Sequence, residues 1–253
     1  MRKTQSGKRT LPQKDESRMS GAGLNFAASE AYRLLRTNLL FSLPFSSLKE
    51  GEKCRIVGIT SALSGEGKST TALNLGYMLA ESGKNVLVVE ADMRLPTIST
   101  RLGLRREMGL SGLLAGMYAD GDVIQPSGIQ ERLWVLSAGS TPPNPTELLG
   151  SERMKEVLGK LGQNYDFILL DLPPVNEVSD ALVASRLTHG IVVVVRQGYA
   201  TRSSVAEAVR QLESVRAKIL GFVMTYQNSV EKKYKGAYQG KYGHSSAAKE
   251  DAL

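Results

Sequence analysis

The sequence has few of the residues that cross-links and transition-metal sites require. It contains one cysteine, Cys54, and two histidines among 253 residues. A lone cysteine cannot close an internal disulfide, which favours a reducing compartment. Its position just before an apolar run predicts a buried, unreactive thiol. Two histidines are too few for a histidine-based metal site.

Long apolar runs are also absent from the sequence. None approaches the roughly 18–20 residues of a transmembrane helix. The first 20 residues, MRKTQSGKRTLPQKDESRMS, are basic but lack the apolar segment of a signal peptide. We therefore expect any membrane association to be peripheral or to be made through a partner.

Positive charge is in excess, with a formal net charge of +7 at neutral pH. Much of this excess lies in two polar ends, residues 1–20 and 230–249, and the body of the chain does not interleave basic and aromatic residues. The charge by itself suggests nucleic acid or acidic lipid as a partner. Its distribution argues against a nucleic-acid-binding protein.

Composition divides the chain into three parts. Residues 1–25 and 229–253 are polar, charged and poor in apolar residues, which is typical of disordered segments. Residues 26–228 carry the apolar periodicity of a folded chain. We therefore predict one folded domain between a disordered basic N-terminus and a flexible C-terminal tail.

Short apolar runs alternate with amphipathic stretches throughout this predicted domain. Runs such as RIVGIT at 55–60 and DFILLDL at 166–172 predict strands that are buried on both faces. Helical spacing predicts a helix over residues 29–43, capped by Ser29, and another over residues 145–162. The alternation predicts an α/β fold in which a mostly parallel sheet has helices on both faces.

The segment SALSGEGKST, residues 61–70, lies between the first predicted strand and its helix. It ends as a phosphate-binding P-loop does, although Ala62 replaces the first glycine of G-x-x-x-x-G-K-[ST]. The alternative is a glycine-rich turn before an amphipathic helix. We predict a P-loop NTPase fold. In such a fold, the lysine of the loop reaches the β- and γ-phosphates and the serine that follows it holds Mg²⁺. The expected nucleotide contacts are Ser64, Gly65, Glu66, Gly67, Lys68, Ser69 and Thr70.

Acidic residues follow two other predicted strands. Asp171 ends one apolar run, and Glu90 and Asp92 end another, with Arg94 shortly after. Carboxylates separated by one residue point the same way on an extended chain, so such a pair beside a P-loop suits metal binding and general-base work. The alternatives are a helix-capping aspartate and a solvated strand end. We expect Ser69, Asp92 and Asp171 to hold Mg²⁺.

The tail carries three tyrosines four residues apart, Tyr234, Tyr238 and Tyr242, among lysines and glycines. Glycine keeps a backbone mobile, and few apolar residues are available there to pack against the rings. A helix with a buried stripe would be the alternative reading of the same spacing. We predict exposed tyrosines on a flexible segment.

Four segments within residues 25–226 resemble the motifs of the bacterial tyrosine kinases, or BY-kinases, of capsule and exopolysaccharide export. They are SALSGEGKST for Walker A, VVEADMRLP for Walker A′, FILLDLPP for Walker B and EAYRLLRTN for the family's E-x-x-R-x-x-R segment.

This resemblance implies a protein-tyrosine autokinase that uses ATP and Mg²⁺ and acts in capsular or exopolysaccharide synthesis and export. Its tail tyrosines would be the phosphoacceptors, and Glu30, Arg33 and Arg36 would mediate ring-shaped self-association. The further expected partners are a transmembrane adaptor of the polysaccharide chain-length (co-polymerase) type and a tyrosine phosphatase. The location would be cytoplasmic, at the inner face of the membrane through that adaptor.

In that reading Lys68 stabilises the transferred charge, Glu90 or Asp92 deprotonates the hydroxyl, and Arg94 neutralises phosphate. The family usually has Asp where this chain has Glu90, and a misplacement of about 1 Å can cost about a hundredfold in rate. We therefore expect Glu90→Asp to raise tail phosphorylation. A weakly catalytic nucleotide-binding scaffold is one alternative function.

A partition- or division-type P-loop ATPase is the other alternative. Those proteins carry an additional lysine near the start of the loop, where this chain has Leu63. The resemblance therefore favours the kinase.

Overall fold

The structure of the protein is a computed structural model that describes residues 21–44, 48 and 51–226. Seven strands form one sheet: β1 (Arg55–Ser61), β2 (Val86–Glu90), β3 (Ile124–Pro126), β4 (Leu133–Leu136), β5 (Phe167–Asp171), β6 (Gly190–Arg196) and β7 (Ile219–Thr225). Their order across the sheet is β3-β4-β2-β5-β1-β6-β7.

Nine α-helices connect and cover these strands within the described residues. They are α1 (Phe26–Ser42), α2 (Lys68–Glu81), α3 (Ile98–Arg101), α4 (Leu110–Leu114), α5 (Asp120–Val123), α6 (Pro145–Leu149), α7 (Glu152–Leu161), α8 (Asp180–Ser185) and α9 (Arg202–Ser214). None of the helices that the structure describes combines the length and apolarity of a membrane span.

The sheet is parallel except at one edge, where β3 runs antiparallel to β4. The predicted α/β architecture is therefore confirmed, although the short strand β3 was not predicted. β5 lies between β1 and β2, and its last residue, Asp171, pairs with Ile59 of β1 and with Glu90 of β2. Parallel pairing thus brings the ends of three strands to one edge of the sheet.

Both faces of the sheet are covered by apolar side chains. On one face, α1 and α2 contribute residues such as Leu39 and Leu73 to a buried cluster with β1 and β5. On the other, α4, α7, α8 and α9 supply a second cluster that includes Met154 and Leu212. Because both faces are buried, the strands need continuous apolar runs, which is the pattern that predicted them.

The predicted start of the first helix is wrong. Helix α1 begins at Phe26, and its N-cap is Asn25, whose side chain accepts a hydrogen bond from the Ala28 N–H; Ser29 lies inside the helix. A short 3-10 helix, Gly21–Gly23, precedes it, and the Gly21 N–H donates to Asn74 Oδ1 of α2 at 3.0 Å. The described residues before α1 therefore contact α2.

The single helix predicted over residues 145–162 is two helices. α6 ends at Leu149, and Ser151 caps α7 by accepting a hydrogen bond from the Met154 N–H at 3.1 Å. Serine is a favoured N-cap because its hydroxyl satisfies an N–H that the helix leaves unpaired.

Cys54 is buried as predicted, and its burial raises the pKa of the thiol to about 12, which leaves the thiol unreactive.

The start of α4 approaches the end of β4 so closely that only glycine fits at position 109. The Leu110 N–H donates to the Ser137 carbonyl at 2.8 Å. A Cβ added to Gly109 would lie 2.3 Å from both the Gly139 nitrogen and the Ser137 oxygen. These are backbone atoms of the strand end, so they cannot move aside as a flexible side chain can.

We expect Gly109→Ala to lower the free energy of unfolding by about 1–3 kcal/mol, the usual cost of overpacking. Gly159→Ala is the matched control, since a Cβ there meets no atom within 4 Å and alanine favours the helix by up to about 1 kcal/mol. Urea unfolding of both variants measures the difference. Equal midpoints for Gly109→Ala and the parent would contradict this close approach.

Candidate active site

The loop between β1 and α2 has the backbone of a phosphate-binding loop. Gly65 and Gly67 adopt positive φ angles of 76° and 100°, which side-chain-bearing residues rarely adopt. Gly67 is the N-cap of α2, and Lys68 is its first residue. The unpaired N–H groups and positive dipole end of this 14-residue helix therefore face the loop, an arrangement that favours anions.

Glu66 braces this loop from inside. Its buried carboxylate accepts hydrogen bonds from the Leu63 N–H at 2.8 Å and the Arg196 N–H at 3.2 Å. The Thr225 hydroxyl donates to the Glu66 carbonyl at 2.8 Å, and the Arg196 guanidinium donates to the Gly65 carbonyl at 3.2 Å. The ends of β6 and β7 thus hold the loop, and the Glu66 side chain is used for that support.

Lys68 is only 7% exposed. Within the described part of the chain, its ammonium makes no hydrogen bond or ion pair. Buried charges are normally paired, because an ion loses its hydration on burial. An anionic ligand would supply the missing partner.

Asp171 is fully buried at the end of β5, and no hydrogen bond of ordinary geometry reaches either carboxylate oxygen from the described residues. Burial raises the pKa of this carboxyl to about 7, with nearby Asp92 and Glu90 adding to the rise and Lys68 and Ser69 opposing it. A buried polar group without partners calls for an explanation, and an ion at the site is one.

Asp92 lies beside Asp171. The N–H groups of Ala91 and Asp92 both donate to the Asp171 carbonyl, at 3.0 and 2.9 Å, so the chain after β2 stays against β5. One Asp92 carboxylate oxygen accepts from the Leu95 N–H at 3.0 Å. The other is unpaired among the residues that the structure describes.

Residues 21–44, 48 and 51–226 contain no group of three or more acidic, histidine or cysteine side chains that could hold a metal ion by themselves. Mg²⁺ differs from other metals here, because it is usually bound by one or two carboxylates together with substrate phosphates. Asp92, Asp171 and the Ser69 hydroxyl fit that type of donor set.

Glu90 has a structural role that the sequence did not reveal. It is fully buried, and one of its oxygens accepts from the Ile98 N–H at 2.6 Å and the Ser99 N–H at 3.4 Å. Its other oxygen accepts from the Ala138 N–H at 3.2 Å. Both oxygens therefore fasten the start of α3 and the end of β4 to β2.

Arg94 is likewise engaged. Its guanidinium makes two hydrogen bonds to the buried carboxylate of Asp180, at 2.9 and 3.1 Å. Thr146 also donates its hydroxyl to Asp180, at 2.5 Å. The hydrogen bond to Asp180 is the main cause of a raised Arg94 pKa. Asp180 was not singled out from the sequence, because an acid at a helix start ordinarily indicates only a cap.

A cavity of about 350 Å³ opens beside the loop, between the start of α1 and the end of β7. Its lining includes Gly67 and Thr70 at the start of α2, together with Tyr32 and Tyr226. Its volume is within the range of small-molecule sites. Arg101, which the sequence did not indicate, donates to the Thr70 hydroxyl at 2.7 Å.

The residues predicted for self-association share one face of α1, but within the chain that face lies along α2. Glu30 and Arg33 pair with each other at 2.5 Å, and Arg33 is 3.8 Å from Glu81. Arg36 donates to the Met78 carbonyl at 2.9 Å. The predicted phosphoacceptors Tyr234, Tyr238 and Tyr242 lie outside the described residues.

The hydrogen bonds of Glu90 change what we expect of Glu90→Asp, for which the sequence alone predicted faster tail phosphorylation. The shorter side chain cannot reach all three N–H groups, so we expect the free energy of unfolding to fall by about 1–3 kcal/mol and phosphate transfer to become no faster. Glu152→Asp is the control, since Glu152 is exposed and pairs only with Lys155 at 3.4 Å. Faster transfer with unchanged stability would instead support a catalytic role for Glu90.

Comparison with known families and proteins finds clear relatives of this chain. Residues 54–221 match the AAA domain family. The tyrosine-protein kinase YwqD of Bacillus subtilis is 38% identical over 78% of this chain and 80% of its own length. The putative tyrosine-protein kinase CapB of Staphylococcus aureus is 35% identical over 78% and 83%, respectively.

Solved structures give the same result for the fold. The kinase domain of the Escherichia coli tyrosine kinase ETK superposes with a TM-score of 0.71 and 33% identity, covering 79% of this chain and 77% of that domain. The septum site-determining protein MinD of Pyrococcus horikoshii, complexed with Mg-ADP, has a TM-score of 0.58 and 27% identity, with coverage of 68% and 70%. The predicted P-loop NTPase fold is confirmed.

The predicted resemblance is confirmed as well, because the tyrosine-protein kinases YwqD and CapB are both at least 35% identical to this chain over 78% of it. The chain belongs to the bacterial tyrosine kinase family, the BY-kinases.

Proposed function

We propose that the protein binds ATP with Mg²⁺ and transfers the γ-phosphoryl group to tyrosine, including tyrosines of its own tail, in a system that makes and exports capsule or exopolysaccharide. The observation that carries the proposal is the buried, unpaired Asp171 carboxylate beside Lys68 and Asp92. It supports a ligand that brings both a cation and phosphates to the loop. The relatives named as tyrosine kinases support the acceptor.

The nucleotide would lie along the loop with its two halves in different surroundings. The cavity beside Gly67 and Thr70 suits the nucleoside, which needs an apolar enclosure. The backbone N–H groups of residues 64–70 and the Lys68 ammonium suit the phosphates. Arg101, at Thr70, adds a cation where the nucleoside and phosphates meet.

Ser69, Asp92 and Asp171 would hold Mg²⁺ with the phosphates. The ion supplies positive charge that neutralises the phosphate oxygens during transfer. The unpaired oxygen of Asp92 suits the ion, and we assign to the other oxygen of this carboxylate the orientation and deprotonation of the tyrosine hydroxyl. The hydroxyl oxygen bonds to the γ-phosphorus, the bond to ADP breaks, and Lys68 stabilises the charge that passes to the leaving phosphate.

Glu90 and Arg94 would act by positioning. Glu90, two residues before Asp92, holds the start of α3 and the end of β4 through their backbone N–H groups. Arg94 joins the segment after Asp92 to Asp180 of α8. Their contacts place the two metal-binding carboxylates without requiring either side chain to touch the substrate.

This assignment also weighs against the two alternative functions. The weak scaffold was suggested by Glu90 in place of Asp, but a positioning role for Glu90 leaves Asp92 and Asp171 to carry the chemistry. The partition- or division-type ATPase shares the fold, as MinD does. Leu63, in place of that group's additional lysine, supports the kinase.

Self-association would bring the tail of one subunit to the site of another. Helix α1 carries the E-x-x-R-x-x-R residues Glu30, Arg33 and Arg36, and on its outer side Leu34 is 59% and Phe41 is 81% exposed. An exposed apolar strip of this kind supports an interface between copies of the chain. A transmembrane chain-length adaptor would hold the protein at the inner face of the membrane, and a tyrosine phosphatase would reverse the modification.

We expect Lys68→Met to abolish tail phosphorylation while the fold persists, because the variant loses the cation that contacts the transferred phosphoryl group. Intact mass after incubation with MgATP and the adaptor's cytoplasmic segment measures the transfer. Lys155→Met is the control, since Lys155 is an exposed lysine on α7. Transfer at the parent rate in Lys68→Met would remove the loop from the mechanism.

Phosphorylation should also control assembly. Each phosphotyrosine adds about −1.5 to −2 charges, so a modified tail is repelled by Asp92 and Asp171 and should leave the neighbouring site. We expect oligomers of the unphosphorylated protein and monomers of the phosphorylated form in light scattering. The double variant Arg33→Ala, Arg36→Ala should be monomeric in both states.

The control for that double variant is Arg153→Ala, which removes an exposed arginine of α7. Thermal unfolding separates lost assembly from lost folding, because Arg33 and Arg36 also contact α2. Equal masses for the phosphorylated and unphosphorylated protein would exclude the assembly switch while leaving the kinase assignment intact.

A further inference from the structure

The carboxylate of Glu177, which is outside the proposed metal site, is bound to the phosphate loop. Glu177 accepts a hydrogen bond from the Ser64 N–H at 2.6 Å, across 113 positions of the chain. Ser64 is in the first half of the loop, and Glu177 is in the segment between β5 and α8. A loop whose N–H groups suit phosphate therefore has one of them occupied by an anion of the protein itself.

The position of Glu177 is determined by the two residues just before it. The Val175 N–H donates to the Ser61 carbonyl at 2.9 Å, and the Asn176 N–H donates to the Ala62 carbonyl at 3.3 Å. The Asn176 side chain also donates to the Ser204 carbonyl at 2.8 Å. Glu177 thus follows two residues that are held against the start of the loop.

The Ser64 end of the loop is where a terminal phosphate would lie, if ATP binds as proposed above. The nucleoside cavity is at Gly67 and Thr70, on the helix side of the loop. A triphosphate that starts there passes Lys68 and ends towards the first half of the loop. ADP is one phosphate shorter and stops before that end.

Glu177 differs from Glu66, the other carboxylate bound to the loop. Glu66 is fully buried and bridges two N–H groups, so it cannot leave without unpaired groups remaining inside the protein. The Glu177 side chain is exposed and makes a single hydrogen bond to the loop. It can turn out to water at little cost, and its negative charge would be repelled by a phosphate at the same N–H.

We propose that Glu177 is a latch that senses the γ-phosphate. Its carboxylate occupies the Ser64 N–H in the empty and ADP-bound protein and is displaced by the γ-phosphate of ATP. Because ATP must displace the latch and ADP does not, Glu177 lowers the affinity for ATP relative to ADP. The residue thereby sets the nucleotide preference of the site and favours retention of the product.

Two variants remove the negative charge of Glu177, and only one of them also removes its hydrogen-bond acceptor. Glu177→Gln keeps an acceptor without the charge, and Glu177→Ala removes both. Glu131→Gln is the matched control, since Glu131 is an exposed glutamate just before β4 begins, at the opposite end of the parallel strands from the loop. Calorimetry of the full chain with Mg-ADP and with the Mg complex of a non-hydrolysable ATP analogue measures both affinities.

We expect both Glu177 variants to bind the ATP analogue roughly tenfold more tightly than the parent does, within the usual range of coupling between two ligands at one protein. Their affinity for ADP, and both affinities of Glu131→Gln, should equal those of the parent. Melting temperatures verify that each variant is folded, and Glu177→Gln serves as the test if Glu177→Ala fails to fold.

An unchanged ratio of analogue to ADP affinity would overturn the latch. Weaker binding of the analogue by the variants would also overturn it, because Glu177 would then support the γ-phosphate. Slower phosphate transfer by the variants, with an unchanged ratio of affinities, would indicate a general base instead of a latch. Absence of ADP binding by the parent would instead overturn the proposed function, and the latch with it.

Discussion

Burial of the Asp171 carboxylate between β1 and β2 is the constraint on which the site depends. Parallel pairing places this residue beside the ends of both neighbouring strands, where water cannot solvate it and no described residue gives it a hydrogen bond of ordinary geometry. The buried ammonium of Lys68 faces the same difficulty. The folded chain therefore keeps a carboxyl and an ammonium without hydrogen-bond partners of ordinary geometry at the end of its sheet, and a ligand that carries a cation and phosphates stabilises both.

The carboxylates around this edge of the sheet fall into two groups according to their hydrogen-bond partners. Glu66, Glu90 and Asp180 are buried and fully engaged, the first two by backbone N–H groups and the third by Arg94 and Thr146. They hold the loop, the start of α3 and the start of α8. Asp92 and Asp171 keep unpaired oxygens and suit a metal. A residue's place in a motif does not distinguish these roles, whereas its hydrogen-bond partners do.

Local pattern predicted most of the framework. Strands buried on both faces need continuous apolar runs, and a glycine-rich turn before a helix needs positive φ angles, so β1, α2 and the loop between them could be read directly. The boundaries were less accurate. Both Asn25 and Ser29 are suitable caps for α1, and the sequence does not show which of them is used. The apolar spacing of residues 145–162 is that of one helix, but Gly150 and Ser151 divide it into two. The short edge strand β3 has no pattern long enough to indicate it.

The amino-acid sequence by itself determined the P-loop, the parallel α/β fold and the family, because each depends on residues that are close together in the chain. Only the tertiary structure decided which hydrogen-bond partners the acidic residues have. Spacing shows that Glu90 and Asp92 point the same way from a strand, but the N–H group that occupies one oxygen of Glu90 comes from Ala138, 48 residues away. The N–H group that holds Glu177 comes from Ser64, 113 residues away. Carboxylates act through whatever donors the fold brings to them, and those donors are set by strand order and loop packing, which no short segment of the sequence contains.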